Sequence, residues 1–334
     1  MGGGGFIANN DFFGIDEKRP NVISFTQNKG RYSSLYGMVV TIKERNPKMK
    51  YSSCVLATAF AIAAGSAFSE TLTVGRGEKY EKPSQAAKAA KDGDTIIIKK
   101  GVYVDFASWN ASNLTIKGAE GAAKTVIRYS DAMKRIAAGK ALWVIGGGNC
   151  TIEGITFEGA KCPDNNAAGL WIGAASGTTK VVDCVFKKNQ NGILSSAQPE
   201  AEISIAGCTF RENGNGDGYS HNIYIGKVKK LTCSKITSDH CNMGHCLKSR
   251  ALETVIEESI FDDGDDGISS YLVNCPNGGK VRMSSCKLVQ SEKASNGVMV
   301  SIGEEGAYPG TEFDDDMNEF ENRRHAGTEV VLKK

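Results

Sequence analysis

The sequence predicts an all-β fold, a single-stranded parallel β-helix of about eight coils with a short capping helix at its amino-terminal end. Two strand-like phrases recur along the chain with a spacing of roughly 24 to 29 residues, a period that is typical of solenoids. No helical pattern separates the phrases, so each predicted strand would stack in parallel on its counterpart in the next coil. An Ala- and Lys-rich segment precedes the repeats and predicts the capping helix.

The amino-terminal cap is predicted within SQAAKAAKDGDTIIIKKGVY, Ser84 to Tyr103. This segment indicates a short helix, a turn at Asp92-Gly93-Asp94 and then an apolar strand. A helix here would cover backbone groups that the first coil would otherwise leave unpaired. At this point the chain resembles the right-handed parallel β-helix proteins of the pectate-lyase-like superfamily, whose first coil often follows such a helix and a GDTI-like phrase. The resemblance covers about residues 70 to 310 and implies the fold more specifically than the activity.

The first recurring phrase alternates apolar with polar residues and ends on a large apolar side chain. Its copies end at Phe157, Phe186, Phe210, Ile236, Phe261 and Leu288. Two positions earlier, and so on the same strand face, stand Ile155, Cys184, Cys208, Ser234, Ser259 and Cys286. We expect Cys184, Cys208 and Cys286 to be buried free thiols, because cysteine packs as a small hydrophobe. A disulfide between Cys184 and Cys208 is the alternative, and the spacings are unlike those of zinc sites.

The second recurring phrase predicts another strand in each coil. Its copies are GLWIG from Gly169, GILSS from Gly192, NIYIG from Asn222, CLKSR from Cys246, GISSY from Gly267 and GVMVS from Gly297. Their second residues form a predicted inward column of Leu170, Ile193, Ile223, Leu247, Ile268 and Val298. Each coil therefore has at least two strands, separated by turns that contain Gly, Asn and Asp.

The segment from Met49 has the charged, apolar and small-residue order of a secretory signal. Its apolar run is too short to span a bilayer, and a buried core helix is the alternative. We predict that residues 1–48 are an over-extended, disordered start and that residues 49–69 are a signal peptide, cleaved after Ser69. Residues 70–334 would then be one β-helix domain, periplasmic or secreted.

The overall charge predicts neither nucleic acid nor a membrane surface as a partner. Forty basic and 38 acidic residues give a formal charge of +2, so any electrostatic recognition has to be local. We expect a monomer without a membrane span.

The second phrase also predicts one outward patch. In GHCLKSR, Gly244 to Arg250, two cations two positions apart share a strand face and need solvent or an anion over them. Adjacent coils lie about 4.8 Å apart, so the alignment gathers polar and aromatic side chains from three coils. The predicted catalytic residues are His221, Tyr224, His245, Lys248 and Arg250, and the predicted substrate-binding residues are Trp171, Asn222, Asp266 and Tyr271.

This residue set favours an acidic, uronate-containing polysaccharide as the partner. Arg250 can form two parallel hydrogen bonds with a uronate carboxylate, and aromatic rings offer flat surfaces to sugars. For cleavage by β-elimination we assign Arg250 to neutralise the carboxylate and Lys248 to act as the base, its pKa lowered by Arg250. His245, His221 or Tyr224 would protonate the leaving oxygen. The first hypothesis is therefore a polysaccharide lyase.

A calcium site is a further hypothesis. The run FDDGDDG, Phe261 to Gly267, offers Asp262, Asp263 and Asp265 as hard oxygen ligands. Its spacing is unlike that of an EF-hand, and a solvated turn is the alternative interpretation. Ca²⁺ is the one cofactor that the sequence suggests.

Other functions stay open. A polygalacturonase-like hydrolase would use Asp265-Asp266 with Gly244-His245 and Asp239, although the order of these motifs differs from that family. Such a hydrolase needs two carboxyl groups about 6.5 to 9.5 Å apart. A uronate epimerase would share the first step of the lyase, and a non-catalytic glycan-binding or adhesin β-helix would need only the cations.

Overall fold

The structure, a computed structural model, describes residues 22–27, 38–43, 69–324 and 327–334. The chain divides into two units, residues 1–64 and 65–334. In the first unit, strands β1 (Val22–Gln27) and β2 (Met38–Lys43) form an antiparallel pair. They lie within the segment expected to be a disordered start. The rest of that segment, the start at Met49 and nearly all of the signal peptide 49–69 lie outside the described residues, so these expectations stay predictions.

The second unit is built from three parallel sheets and one short helix. Sheet 1 contains β3 Thr71–Val74, β4 Thr95–Ile98, β7 Thr115–Gly118, β10 Thr151–Glu153, β13 Ser176–Val182, β16 Gln198–Ala206, β19 Val228–Ser234, β22 Glu253–Glu257, β25 Lys280–Ser284 and β28 Glu312–Asp316. Sheet 2 contains β5 Gly101–Tyr103, β8 Thr125–Arg128, β11 Thr156–Glu158, β14 Val185–Lys187, β17 Thr209–Arg211, β20 Thr237–Asp239, β23 Ile260–Asp262, β26 Lys287–Gln290 and β29 Glu319–Asn322. Sheet 3 contains β6 Ala107–Trp109, β9 Ala141–Ile145, β12 Ala168–Ile172, β15 Asn191–Ser195, β18 Ile223–Ile225, β21 Leu247–Ser249, β24 Val273–Cys275, β27 Val298–Ile302 and β30 Thr328–Leu332.

The predicted parallel β-helix is confirmed, with about ten coils instead of eight. Ten strands stack in sheet 1 and nine in each of the other sheets. The sequence count was lower because the coils before residue 151 and the last coil lack clear copies of the two phrases. The predicted cap is helix α1 (Pro83–Ala89), which buries Pro83 and Ala86 and packs against β3 and β6.

The turns between sheets 1 and 2 are nearly identical from β10 onward, because each consists of two residues. The first residue has a left-handed backbone, with φ between 48° and 65°, at Gly154, Asp183, Gly207, Lys235, Glu258, Ser285 and Met317. The second residue is buried at Ile155, Cys184, Cys208, Ile236, Ser259 and Cys286, and half-buried at Asn318. This column corrects one predicted member: Ile236 occupies the position assigned to Ser234, and Ser238 pairs with Phe210 in place of Ile236.

The interior follows the predicted stacking. The rings of Phe157, Phe186 and Phe210 lie parallel, with centroids 5.1 and 4.9 Å apart. Cys184 and Cys208 are buried beside them, and the backbone N–H of Cys184 donates to Cys208 Sγ at 3.4 Å. All nine cysteines in the described part of the chain are free, and Cys286 is among the buried ones. The predicted ladder of free thiols is confirmed, and no Cys184–Cys208 disulfide is present.

The turns on either side of sheet 3 vary in length, and this variation corrects the predicted register. The turn from sheet 2 to sheet 3 spans residues 240–246 in one coil and 263–272 in the next. Leu247 therefore pairs with Val273, and Val273 with Val300. Ile268, predicted to point inward, is exposed in the longer turn, and the predicted inward residue Val298 is only half-buried.

Among the described residues, no helix has both the length and the apolar character needed to cross a membrane.

Candidate functional site

One outward-facing column of sheet 3 runs along the solenoid and changes character halfway. In register it contains Val144, Trp171, Leu194, Tyr224, Lys248, Asn274 and Ser301. The first four are apolar or aromatic, and with Phe106, Ala137, Ala141 and Ala168 they form an apolar cluster outside the core. The remaining members are polar. We call this row the sheet 3 outer column. The third residues of the second recurring phrase align as Trp171, Leu194, Tyr224, Lys248, Ser269 and Met299. The first four of these lie in the column, whereas Asn274 and Ser301 stand where Ser269 and Met299 were expected.

The two cations of GHCLKSR lie at the polar end of this column, and we call them the cation pair. Arg250 donates from Nε to Tyr224 Oη at 3.1 Å, from Nη1 to Asn277 Oδ1 at 2.7 Å and from Nη2 to Glu305 Oε2 at 2.6 Å. Lys248 Nζ donates to Glu305 Oε1 at 3.4 Å and lies 5.8 Å from the centre of the Tyr224 ring. The side chains of Lys248 and Arg250 are only 14% and 23% exposed. The group over these cations is therefore an anion, the carboxylate of Glu305.

Glu305 belongs to the turn formed by residues 303–311, which joins β27 to β28. The same turn places Tyr308 Oη within 3.4 Å of the Arg250 carbonyl oxygen, and Lys227 Nζ lies 5.1 Å from the Tyr308 ring centre. Partial burial by itself would raise the pKa of Glu305, but the hydrogen bond from Arg250 and the charge of Lys248 outweigh it and lower that pKa. Glu305 is thus held as a carboxylate. Sequence reasoning missed it because this turn has no counterpart in other coils.

A ladder of three rings borders the cation pair. The His221 and His245 rings stack with centroids 4.6 Å apart, and Tyr271 lies 5.0 Å from His245. His221 also meets the edge of Tyr224 at 5.5 Å. Each imidazole Nδ1 accepts a backbone N–H, from His245 to His221 at 3.0 Å and from Tyr271 to His245 at 3.3 Å. These bonds leave the proton on Nε2 of each neutral ring.

Both histidines are electrically neutral at ordinary pH. Burial, followed by the nearby charge of Lys248, lowers the pKa of His245 to about 3. Burial also lowers the pKa of His221 well below its usual value, with further lowering from His245, Lys248 and Arg250. A neutral Nε2–H can donate a hydrogen bond but is a poor proton source. The predicted role of His221 or His245 as the acid that protonates a leaving group therefore lacks the necessary imidazolium.

Two predicted substrate-binding residues lie elsewhere. Asn222 is fully buried inside the solenoid, where its Oδ1 accepts from Asn213 and its Nδ2 donates to Ser238 Oγ at 3.0 Å and to the Asp239 carbonyl at 2.9 Å. Its prediction as a substrate ligand is wrong, because every polar group of its side chain is used internally. Asp266 is 74% exposed, and its carboxylate contacts His240 Nε2 at 3.3 Å instead of any member of the cation pair or ring ladder.

The acidic run does not converge on one point. Asp263 is buried and accepts from Ser269 Oγ at 2.6 Å, and burial raises its pKa to about 6. Asp262 accepts the backbone N–H of Gly264, whereas Asp265 is 98% exposed and pairs with Arg323. The described residues contain no group of three or more His, Cys, Asp or Glu side chains placed to hold a metal ion. Asp262, Asp263 and Asp265 thus have separate partners, and a role for Ca²⁺ stays a prediction.

The hydrolase alternative depends on Asp239, Asp265 and Asp266. Asp239 is buried and accepts from Arg211 Nε and Nη2 at 3.0 and 2.8 Å, and His240 Nδ1 lies 3.2 Å from the same carboxylate. Asp265 and Asp266 have separate partners, Arg323 and His240. Asp239 and Asp266 thus lie at opposite nitrogens of the His240 ring, whereas Asp265 is paired with Arg323.

Comparison with known proteins extends to the fold only. No family model matches the sequence, and no curated protein matches it significantly. Among solved structures, similarity is found to a pectin methylesterase from carrot, with a TM-score of 0.53, 15% identity, and coverage of 79% of this chain and 88% of that chain. The pectin methylesterase from Aspergillus niger gives a TM-score of 0.52 with 14% identity and coverage of 79% and 90%, and the one from Yersinia enterocolitica gives 0.51 with 14% identity and coverage of 75% and 94%. The likeness confirms the expected right-handed parallel β-helix fold.

Proposed function

We propose that this protein is an enzyme that acts at the uronate carboxyl groups of an acidic polysaccharide, bound along the sheet 3 outer column. The observation that carries the proposal is the Glu305 carboxylate held by Lys248 and Arg250. Two cations that already bind one carboxylate of the chain have the donors and spacing to bind the carboxyl group of a uronate.

The rest of the sheet 3 outer column supports a sugar polymer as the ligand. Trp171 and Tyr224 are half-buried and in register on either side of Leu194. Together they form an apolar surface beside the cation pair, and such rings present flat faces to sugars while their polar edges stay in water. The Nε2–H groups of His221 and His245 add neutral donors next to this surface.

Hydrolysis of a uronate ester is the first candidate reaction. The carboxylate of Glu305 has free lone pairs, so it can attack the ester carbonyl as a covalent nucleophile. Negative charge would then develop on the carbonyl oxygen beside Lys248 and Arg250, where two fixed cations stabilise it. Collapse of the tetrahedral intermediate breaks the ester C–O bond, and the departing alcohol takes a proton from the Lys248 ammonium. Water then hydrolyses the resulting acyl-enzyme anhydride, which frees the uronate and Glu305 carboxylates and returns one proton to Lys248 and one to solvent. The pectin methylesterases of the same fold act, by their names, on such esters.

β-Elimination is the second candidate reaction, and the fork of Arg250 favours it. Bound to a uronate carboxylate, this guanidinium would neutralise the charge and make the C5 proton more acidic. The base would be Glu305 or Lys248, because the Nδ1 lone pairs of His221 and His245 are occupied by backbone N–H groups.

The test compares products from methyl-esterified and de-esterified uronate polymers. Ester hydrolysis releases methanol without new chain ends, whereas elimination gives the ultraviolet absorbance of an unsaturated uronate. We expect Glu305→Gln to lower turnover by about 100-fold or more, the scale of losing one charge-stabilising or nucleophilic group. Arg250→Gln should weaken both binding and turnover.

Matched controls are Glu312→Gln and Arg282→Gln, exposed residues of sheet 1 on another face of the solenoid. These variants should behave as the unchanged protein. Full activity of both Glu305→Gln and Arg250→Gln would contradict the site assignment. Binding of the polymers without methanol, unsaturated product or new reducing ends would contradict the enzyme and favour a glycan-binding protein.

A further inference from the structure

A cavity of about 580 Å³ lies away from the cation pair, between two long turns from sheet 2 to sheet 3. One wall is the turn of residues 129–140, between β8 and β9, and the other is the turn of residues 159–167, between β11 and β12. The volume is within the range of pockets that hold small organic ligands. We propose that this cavity is a second subsite for a uronate unit of the same polysaccharide, an inference that rests on the proposed function.

Three cations line the cavity without acidic partners. Lys134, Arg135 and Lys161 contribute to its walls, and no Asp or Glu does. None of these three residues takes part in an ion pair among the described residues. Three carboxylates lie three residues from these cations along the chain. Asp164 is engaged by Lys140 Nζ at 2.7 Å and by Cys162 Sγ at 2.7 Å, Glu158 pairs with Arg128 and Lys187, and Asp131 is exposed and does not line the cavity. The cavity therefore has an uncompensated positive charge and selects an anion.

The remaining lining is apolar and suits the body of a sugar ring. Tyr129, Met133, Ile136 and Pro163 all border the cavity. An inorganic anion would contact the cations but not this apolar surface. A ligand that combines a carboxylate with a ring uses both, which is the composition of a uronate.

One wall is held rigidly before any ligand arrives. The buried amide of Gln190 accepts the backbone N–H of Cys162 at 3.0 Å and of Ala167 at 2.9 Å. Its Nε2 donates to the Cys162 carbonyl at 3.2 Å and to Asn165 Oδ1 at 3.3 Å. A preformed wall lowers the entropy cost of binding.

Contacts connect the cavity with the proposed substrate surface. The Arg135 guanidinium lies 5.8 Å from the ring centre of Phe106. Phe106 packs against the apolar cluster that includes Val144 and Leu194 of the sheet 3 outer column, and Trp171 packs on the same cluster. From β9 to β21 are four coil steps, or about 19 Å along the axis. A single sugar cannot reach both sites, but an oligomer can.

The test measures equilibrium binding of short and long uronate oligomers, of about two and about eight units, by calorimetry. In the unchanged protein the long oligomer should bind at least about 10-fold more tightly, because the second contact is intramolecular. The triple variant Lys134→Gln/Arg135→Gln/Lys161→Gln should lose this advantage. The control Lys180→Gln/Arg282→Gln/Lys287→Gln removes the same charge from exposed residues of sheets 1 and 2, outside all described ion pairs, and should keep it.

Two outcomes would overturn the inference: equal affinity of the triple variant and its control for the long oligomer, or an equal loss with a neutral oligomer of the same length. The Arg250→Gln variant separates this inference from the proposed function. If it still binds uronates through Lys134, Arg135 and Lys161 while the unchanged protein produces neither methanol nor unsaturated uronate, the subsite stands and the proposed enzyme fails.

Discussion

The two sides of sheet 2 are built differently. On the side toward sheet 1, each turn from β10 onward has two residues, a left-handed one and one that is buried or, in the last coil, half-buried. On the side toward sheet 3, the turns range from residues 188–190 to residues 129–140. The short turns keep the Phe and Cys columns in register. The long turns hold the ring ladder and the walls of the proposed second subsite.

Within one coil, the turn that stabilises the fold and the turn that carries functional groups therefore lie on different sides of sheet 2. A constant turn keeps neighbouring coils in the same register, so interior side chains stack on like neighbours. A variable turn on the other side adds polar groups without disturbing that stack, as expected for loops placed by a rigid scaffold. His221 and His245 lie in these variable turns, whereas Glu305 lies in the long turn of residues 303–311 between sheets 3 and 1.

The largest expected effect tests the short turns directly. Inserting one alanine between Asp183 and Cys184 would turn every side chain of β14 to the opposite face, exposing Phe186. We expect a loss of about 3–5 kcal/mol or more in the free energy of unfolding, the scale of removing a buried Phe. Denaturant titration measures it.

The matched insertion places one alanine between Asp131 and Ala132, exposed residues of the turn 129–140. It should cost less than about 1 kcal/mol, because lengthening a long loop adds little closure entropy. Equal losses at the two positions would show that the short turns do not set the register.

The second effect concerns pH and the ring ladder in the long turns. The pKa of His245 is about 3 in the folded protein and has its ordinary value near 6.5 when unfolded. Folding therefore favours the neutral form of His245. The contribution of His245 to the free energy of unfolding is fully present above pH 6.5 and is lost as the pH falls toward 3. The loss down to pH 4 should be on the order of 3 kcal/mol. Asp263, with its pKa raised to about 6, acts in the opposite direction between pH 4 and 6.

Unfolding midpoints measured from pH 8 to pH 4 test this expectation. His245→Gln should flatten the acid side of the curve. Identical curves for His245→Gln and the unchanged protein would rule out a neutral, buried His245.

The smallest expected change in stability concerns a residue of the short turns. Lys235 has a left-handed backbone with φ of 53°, which costs an L-residue roughly 1 kcal/mol or more. Lys235→Gly should therefore stabilise the protein by about 0.5 kcal/mol after the entropy cost of glycine. Lys287→Gly, in strand β26, should destabilise it by about 0.5–1 kcal/mol. Thermal unfolding measures both, and a destabilised Lys235→Gly variant would count against strain at this turn.

The fold was predictable from the sequence because the residues of its interior recur in successive coils. The candidate site was only partly predictable, because the turns that carry it differ from coil to coil. Phe157, Phe186, Phe210, Phe261 and Leu288 occupy one column, as predicted. Ser238 interrupts that column because Asn222 and the Cys246 carbonyl satisfy its hydroxyl inside the solenoid, and hydrophobic patterns do not reveal such a buried polar group.

Positions after long turns were the least predictable. Tyr271 was aligned with Arg250, but the extra residues of the turn 263–272 place it beside His245. Glu305 is 57 residues from Lys248 in the chain and has no repeated counterpart. A contact between a repeated strand and a turn that occurs once produces no repeating pattern in the sequence, so it cannot be predicted from the repeats.

Glu305 has one more physical consequence. Because it is tethered to the chain, it competes with any free acid for the same donors at an effective concentration that is typically millimolar or higher. The affinity measured for an incoming carboxylate is the difference between two similar interactions, and it is weaker than two bare cations would give. Selectivity would then depend on what the incoming molecule adds beyond its charge, which favours ligands that also cover the rings of Trp171 and Tyr224.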